Sequence, residues 1–221
     1  MKLETLSTVK GDHNLKNYEE AYRTFKWEEA EQYFSWHSTG KVNIAFEAID
    51  RHAESFRKNK LALIYRDASR LEKYSFKEMK DFSNKAGNVF KDYGVTKGDR
   101  VFIFMPRSPE LYFAFLGAIK LGAIVGPLFE AFMEGAVRDR LLDSGAKYLV
   151  TTPELLPRVP EEDLPDLETI FIVGENVKET AKYVDFNKKL ADASKNLEIE
   201  WVDREDGYIL HYTSGSTGKP K

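Results

Sequence analysis

The sequence predicts an α/β protein with a mostly parallel sheet flanked by helices on both faces. Three observations carry this. Short, continuously apolar runs such as residues 101–105 and 124–128 read as strands buried on both faces. Such runs alternate with longer segments of helical spacing. Glycine and proline punctuate the joins, at Gly94, Gly98, Pro109 and Gly122.

Each element has its own argument. Residues 19–34 place Tyr22, Phe25, Ala30 and Phe34 on related helical faces. Residues 43–56 form a second helix, with Ile44, Ala48, Ile49, Ala53 and Phe56 as its apolar stripe and Asn43 as N-cap. Residues 61–65 are a strand. Residues 74–76 are a short strand that runs into a helix ended by Gly94. Gly98-Asp99-Arg100 is a turn into the strand 101–105. Ser108-Pro109-Glu110 starts a helix with a cap, a first-turn proline and an acid at the positive end. That helix stops at Gly122, and residues 124–128 are the next strand. A helix over 134–144 and strands over 148–151, 170–173 and 208–212 follow. Residues 153–165 are a proline-rich acidic connection, and the polar stretch 174–200 holds a surface helix near 186–194. The division expected is a helical segment over 1–60 and an α/β subdomain over 61–221.

Composition excludes several functions. Without cysteine there is no disulfide scaffold, thiolate metal site or cysteine nucleophile. A formal charge of −3 gives no basic surface for nucleic acid, so no nucleic-acid partner is expected. The N-terminus has no apolar core of a signal peptide. Residues 111–129 carry one charge, Lys120, but three glycines and Pro127 break the run into buried helix and strand rather than a membrane span. A cytoplasmic protein without membrane contact is expected.

The chemistry concentrates at the end of the chain. The strand 208–212 runs into Thr213-Ser214-Gly215-Ser216-Thr217-Gly218-Lys219-Pro220-Lys221. Glycines let a backbone approach a ligand closely. Successive amides in such a loop form a concave anion site. Hydroxyls add donors, and Lys219 and Lys221 add positive charge. Charge-assisted hydrogen bonds contribute about 1.5–3 kcal/mol each, enough in combination to hold a triphosphate. The loop is not a Walker A motif: counting from Gly215, the second required glycine falls on Pro220.

The string YTSGSTGKPK resembles the phosphate-binding signature of the adenylate-forming superfamily of acyl-CoA synthetases, luciferases and adenylation domains. Tyr74-Ser75-Phe76-Lys77-Glu78-Met79, the stretch 116–128 (LGAIKLGAIVGPL) and Gly98-Asp99-Arg100-Val101 are similar to further segments of that superfamily. Trp36, Gly40-Lys41-Val42-Asn43 and Asp50-Arg51-His52 resemble the N-terminal extension of its acetyl-CoA synthetase branch. The resemblance spans residue 20 to the end.

The resemblance implies the N-terminal subdomain of the large domain of an AMP-forming acetate–CoA ligase. Such enzymes use ATP, Mg2+ and CoA, and convert acetate or a short-chain carboxylate to an acyl-adenylate and then a thioester. By position, Thr213, Ser214, Gly215, Ser216, Thr217, Gly218, Lys219 and Lys221 would hold the ATP phosphates, and the Thr217 hydroxyl would lie near the metal. Arg158 is the candidate for the CoA phosphate. The catalytic residues and the adenine, ribose and acyl pockets are expected beyond Lys221, so the remainder of the polypeptide is an expected partner and the fragment alone is expected to be inactive. The competing expectations are a stand-alone nucleotide-binding remnant and another carboxylate-adenylating ligase.

Other residues invite functional readings. His211 beside the loop is expected to pack within its strand, and His52 to be structural. Asp203, Glu205 and Asp206, an acidic cluster before the last strand, are expected to be a solvated strand entry rather than a magnesium site. No histidine pair, His13 and His37 included, has metal-ligand spacing. Phe25, Trp27, Phe34 and Trp36 are expected to pack the N-terminal segment.

Overall fold

The computed structural model describes residues 15–213. The chain divides into two compact units, Met1–Thr39 and Gly40–Lys221, so the helical stretch before residue 61 is shared between them.

The first unit holds three short helices: α1 (Tyr18–Thr24), α2 (Trp27–Glu31) and α3 (Trp36–Thr39). The helix expected over 19–34 is therefore broken. Asn17 caps α1 by accepting from the Glu20 amide, but Phe25 and Lys26 are extended and end it. The aromatics pack on one another. Phe25 meets Trp27 edge-on at 5.2 Å, and Phe34 stacks on Trp36 at 4.3 Å. Short amphipathic helices of this length gain little without a core to cover.

The second unit begins with β1 (Lys41–Val42) and a single π-helical turn, Phe46–Asp50, that passes into α4 (Arg51–Ala53). The helix expected to Phe56 stops early. Asn43 does cap its start: its side-chain oxygen accepts from the Ala45 and Phe46 amides, and its Nδ2 donates to the Ile119 and Glu200 carbonyls. The wide turn brings Glu47 and Asp50 inward, where both are buried.

β2 (Leu61–Arg66) and β3 (Leu71–Ser75) form a separate antiparallel hairpin. Asp67 closes its turn by accepting from the Ser69 and Arg70 amides. Neither strand is buried along its length, so neither enters the parallel sheet. Ser75 then starts α5 (Phe76–Asp92) through a reciprocal capping box with Glu78.

The main sheet follows. Its strands are β4 (Arg100–Phe104), β5 (Ile124–Pro127), β6 (Tyr148–Thr151), β7 (Thr169–Ile172) and β8 (Tyr183–Asp185), all parallel, in the order β5-β4-β6-β7-β8. Helix α6 (Pro109–Lys120) connects β4 to β5, and α7 (Glu134–Ser144) connects β5 to β6. Gly94 and Gly122 sit at positive φ, where the sequence places its helix stops. The polar stretch after β7 holds the helix expected near 186–194, as α8 (Phe186–Asp192), with Phe186 and Leu190 buried rather than on the surface, and a strand, β8, that the sequence reading did not include. β9 (Val202–Asp203) pairs with β1. The strand expected over 208–212 is one parallel bridge, Ile209 to Val125. Only the Tyr208 carbonyl and Leu210 amide bond to Val125.

Alternate residues of each strand feed two cores. Val101, Ile103, Val125, Val150 and Phe171 pack against α5, α6 and α8. Phe102, Phe104, Leu149, Ile170 and Ile172 pack with Val137 and Leu141 of α7. On the first face α5 and α6 meet at Gly87 and Gly117. A Cβ on Gly117 would lie 2.7 Å from the Gly87 nitrogen and 2.9 Å from the Ser83 carbonyl. Gly117→Ala is therefore expected to force the helices apart and cost about 1–3 kcal/mol in chemical denaturation. Gly135→Ala on α7, where a Cβ meets open space, is expected to stabilise by about 0.4–1 kcal/mol.

The apolar run containing Lys120 is α6 and β5, as expected. Lys120 is fully buried, and its Nζ lies 2.6 Å from Asp50 Oδ2. It also donates to Ser83 Oγ at 2.8 Å and to Asn84 Oδ1 at 2.7 Å. Burial pushes the Asp50 carboxyl up and the Lys120 ammonium down, and their mutual attraction opposes both shifts. Among the described residues, no helix is long and apolar enough to cross a membrane.

Candidate functional site

In an open parallel sheet, ligands bind beyond the carboxyl ends of the strands. Here β4 and β5 end at a 310 Å³ cleft. Met105, Arg107, Leu111, Tyr112, Pro127, Leu128, Phe129, Glu130 and His211 line it. The N-terminal turn of α6 forms one wall. Its N-cap Ser108 makes no capping bond, and the buried Ser108 Oγ has no hydrogen-bond partner.

Residues 208–210 run parallel to β5, so the chain leaves the sheet at this same end. Leu210 and Tyr212 point into the α7-side core, while His211 between them is exposed to the cleft. His211 is thus not the packed strand histidine expected from the sequence. With only one bridge to β5, the segment leaves alternate side chains free to face the opening. Tyr212 leads into the loop. Thr213 is exposed; Ser214, Gly215, Ser216, Thr217, Gly218, Lys219, Pro220 and Lys221 lie outside the described residues.

Arg158 ends a 3-10 turn, Leu156–Arg158, after β6. It is half-buried rather than freely solvated. Its Nη1 donates to the Glu130 carbonyl at 3.0 Å and reaches that of Phe132 at 3.4 Å, which ties the β6 connection to the loop after β5.

The remaining candidates have structural partners. Asp203 pairs with Lys41 at 2.6 Å and Asp206 with Lys97 at 2.7 Å, so both are surface ion pairs. Among the described residues no group of three acids or histidines is placed to hold a metal ion. His52 rests against the Phe76 ring at 4.9 Å, and burial lowers its pKa. His13 lies outside the described residues. A larger groove of 890 Å³ runs between the π-helical turn, α5 and residues 195–201, on the α5 side rather than at the strand ends.

Sequence reasoning missed the aromatic and charged lining of the cleft: Arg107, Tyr112, Phe129 and Glu130. It also missed the anchoring of Tyr212, whose hydroxyl donates to Asp143 Oδ2 at 2.6 Å across 69 positions of sequence. Only strand order brings these residues together.

Helices on both faces of a parallel sheet with a cleft at the strand ends define an α/β domain with an opening where such sheets bind ligands. The comparisons narrow the class. Residues 49–221 match the AMP-binding enzyme family, and the chain belongs to that family. It is 64% identical over its whole length to the acetyl-coenzyme A synthetase of Bacillus subtilis (strain 168), of which it covers 39%. It is 35% identical, over 88% of its length, to acetyl-coenzyme A synthetase from Campylobacter jejuni, of which it covers 32%. The crystal structure of a Brucella canis acyl-CoA synthetase superposes with a TM-score of 0.81 at 28% identity. That match covers 92% of this chain and 37% of the other. An anthranilate CoA ligase solved with anthranoyl-AMP gives a TM-score of 0.73 at 32% identity, over 82% of this chain and 34% of the other. The chain thus spans well under half the length of these relatives.

Proposed function

We propose that these 221 residues are the N-terminal portion of a cytoplasmic AMP-forming acetate–CoA ligase. The observation that supports this best is the 64% identity, over the whole chain, to an acetyl-coenzyme A synthetase. Residues 209–211, which precede the proposed phosphate motif in sequence, pass from the edge of the sheet to the strand-end cleft.

In this reading an acetate oxygen bonds to the α-phosphorus of ATP as the bond from that phosphorus to the α,β-bridging oxygen breaks, and pyrophosphate departs with its electron pair. The CoA sulfur then bonds to the acyl carbon, and AMP departs. Amides and hydroxyls of Thr213, Ser214, Gly215, Ser216, Thr217 and Gly218, with Lys219 and Lys221, hold the β- and γ-phosphates. That donor set fits a polyanion, and Mg2+ would neutralise phosphate charge with few protein ligands, the Thr217 hydroxyl among them. Arg158 is the candidate for a CoA phosphate. Its guanidinium keeps donors beyond those given to Glu130 and Phe132.

The test is to express the whole reading frame that encodes this chain and assay acetate-, ATP- and CoA-dependent AMP release, with aryl and amino-acid carboxylates as competitors. Preference for acetate supports the reading. Preference for an aryl or amino acid makes it another adenylating ligase, and no turnover withdraws it. The 221 residues by themselves are expected to bind MgATP weakly, because the adenine and ribose contacts are expected elsewhere. Micromolar affinity in titration calorimetry would overturn that expectation.

A further inference from the structure

We propose that the cleft at the ends of β4 and β5 is a site for a phosphate-class anion, with the Arg107 guanidinium as its principal contact and His211 as the second. The site is built from residues between Met105 and Glu130 together with His211. Only the source of its anion, ATP or released pyrophosphate, rests on the ligase reading above.

Much of the lining is apolar. Met105 and Leu128 are buried, and the Tyr112 and Phe129 rings are 40% and 60% exposed beside them. The fold brings one permanent cation into this setting. Arg107 is exposed, and among the described residues its guanidinium makes no ion pair or hydrogen bond. Arg100, Arg140 and Arg158 of the same α/β unit instead donate to backbone carbonyls. The Arg107 fork therefore keeps its donors for a ligand, and a planar fork matches two oxygens of a phosphate. Apolar walls strengthen that attraction relative to open water.

His211 reaches the same cleft from the segment bridged to β5 and supplies a ring N–H even when neutral. Ser108 follows Arg107, and its buried Oγ has no partner, so another hydroxyl lies unspent at the cleft wall. A carboxylate is filled by the guanidinium fork alone. Donors from two separate segments suit an anion that presents three or more oxygens.

One charge opposes the anion: Glu130 lines the same cleft. Glu110, the acid in the first turn of α6, lies toward Tyr74, whose hydroxyl pKa it helps to raise. Removing the Glu130 charge should therefore tighten the site, while removing that of Arg107 loosens it.

The experiment titrates inorganic pyrophosphate by calorimetry into the product of the whole reading frame, unmutated and as Arg107→Gln, Arg107→Lys and Glu130→Gln. KM for MgATP and for acetate is measured on the same proteins. Arg107→Gln is expected to weaken pyrophosphate binding about tenfold or more, the scale of one lost charge-assisted hydrogen bond. Arg107→Lys keeps the charge without the fork and should lose less. Glu130→Gln should bind about threefold tighter, the scale of one exposed charge interaction. A matching rise in KM for MgATP assigns the anion to the polyphosphate of the nucleotide. Weakened pyrophosphate binding with KM for MgATP unchanged assigns it to the released product. Pyrophosphate binding that is unchanged in Arg107→Gln, or absent from the unmutated protein, overturns the proposal. So does a rise confined to KM for acetate, which would make the cleft a carboxylate site. Thermal unfolding should be the same in all four proteins, and a binding loss seen only together with a lower melting point would also overturn it. If the unmutated protein turns over no carboxylate, the ligase reading fails separately, and the pyrophosphate titration still decides the site.

Discussion

Asp50→Ala is expected to destabilise the fold by about 3–5 kcal/mol, the range for breaking a buried ion pair by removing one partner. The reason is Lys120. Its ammonium is fully buried at the end of α6 and would keep only Ser83 and Asn84 as partners. At about 2–4 °C per kcal/mol for a chain of this size, the melting point should drop by roughly 6–20 °C. Replacing both partners by apolar residues, Asp50→Leu with Lys120→Met, should recover much of the loss, since no charge is then stranded. Lys120→Met alone carries a pH signature. Without Lys120, Asp50 keeps only the more distant Lys80, 3.8 Å away, against the burial that already raises its pKa. The folded state then holds a proton that the unfolded carboxyl, near pKa 4, has lost. Stability of that variant should be highest at acidic pH and fall as pH rises toward neutrality. Urea denaturation at pH 5 and pH 7 checks the sign; a loss under 1 kcal/mol in Asp50→Ala would show that the pair is dispensable.

That pair also marks where the sequence was legible. The run around Lys120 is readable as α6 and β5 because apolar burial on both sides leaves a continuous signal. Its lone charge carries no local hint of its partner 70 positions earlier. The parallel strands β4, β5, β6 and β7 are legible for the same reason. Short β1 and β9 are not, since two residues show no periodicity, and β8 lies in a stretch where only Val184 is buried. The π-helical turn defeats helical spacing outright. One extra residue per turn rotates Glu47 and Asp50 inward, and the stripe counted at 3.6 residues per turn no longer marks the buried face.

The site divides similarly. The proposed phosphate motif stands out in the sequence because ten consecutive residues of unusual composition follow an apolar segment. The strand-end cleft does not, since Arg107, Tyr112, Phe129 and His211 come from three separate segments joined only by strand order. The exposure of His211 is hidden in the sequence for a related reason. Strand spacing gives alternation but not which face is covered, and residues 208–212 form an edge with one bridge.

In the product of the whole reading frame, Gly215→Val is expected to lower acetate-dependent ATP–pyrophosphate exchange by about a hundredfold or more. The estimate assumes loss of two charge-assisted hydrogen bonds of about 1.5–3 kcal/mol each. In the proposed reading Gly215 is the first glycine of the phosphate motif, and its bare backbone would let amides close on phosphate oxygens. A branched Cβ would hold them apart and restrict the backbone to conformations that valine tolerates. Ser216→Ala removes one neutral donor and leaves the backbone free, so its loss should be about tenfold or less. The two variants together separate backbone from side-chain recognition. A large loss in Gly215→Val with a small one in Ser216→Ala assigns the phosphates to the amides. Equal losses shift the binding to the hydroxyls. Near-normal exchange in Gly215→Val, with thermal stability unchanged in both, would remove residues 213–221 from the mechanism as phosphate ligands.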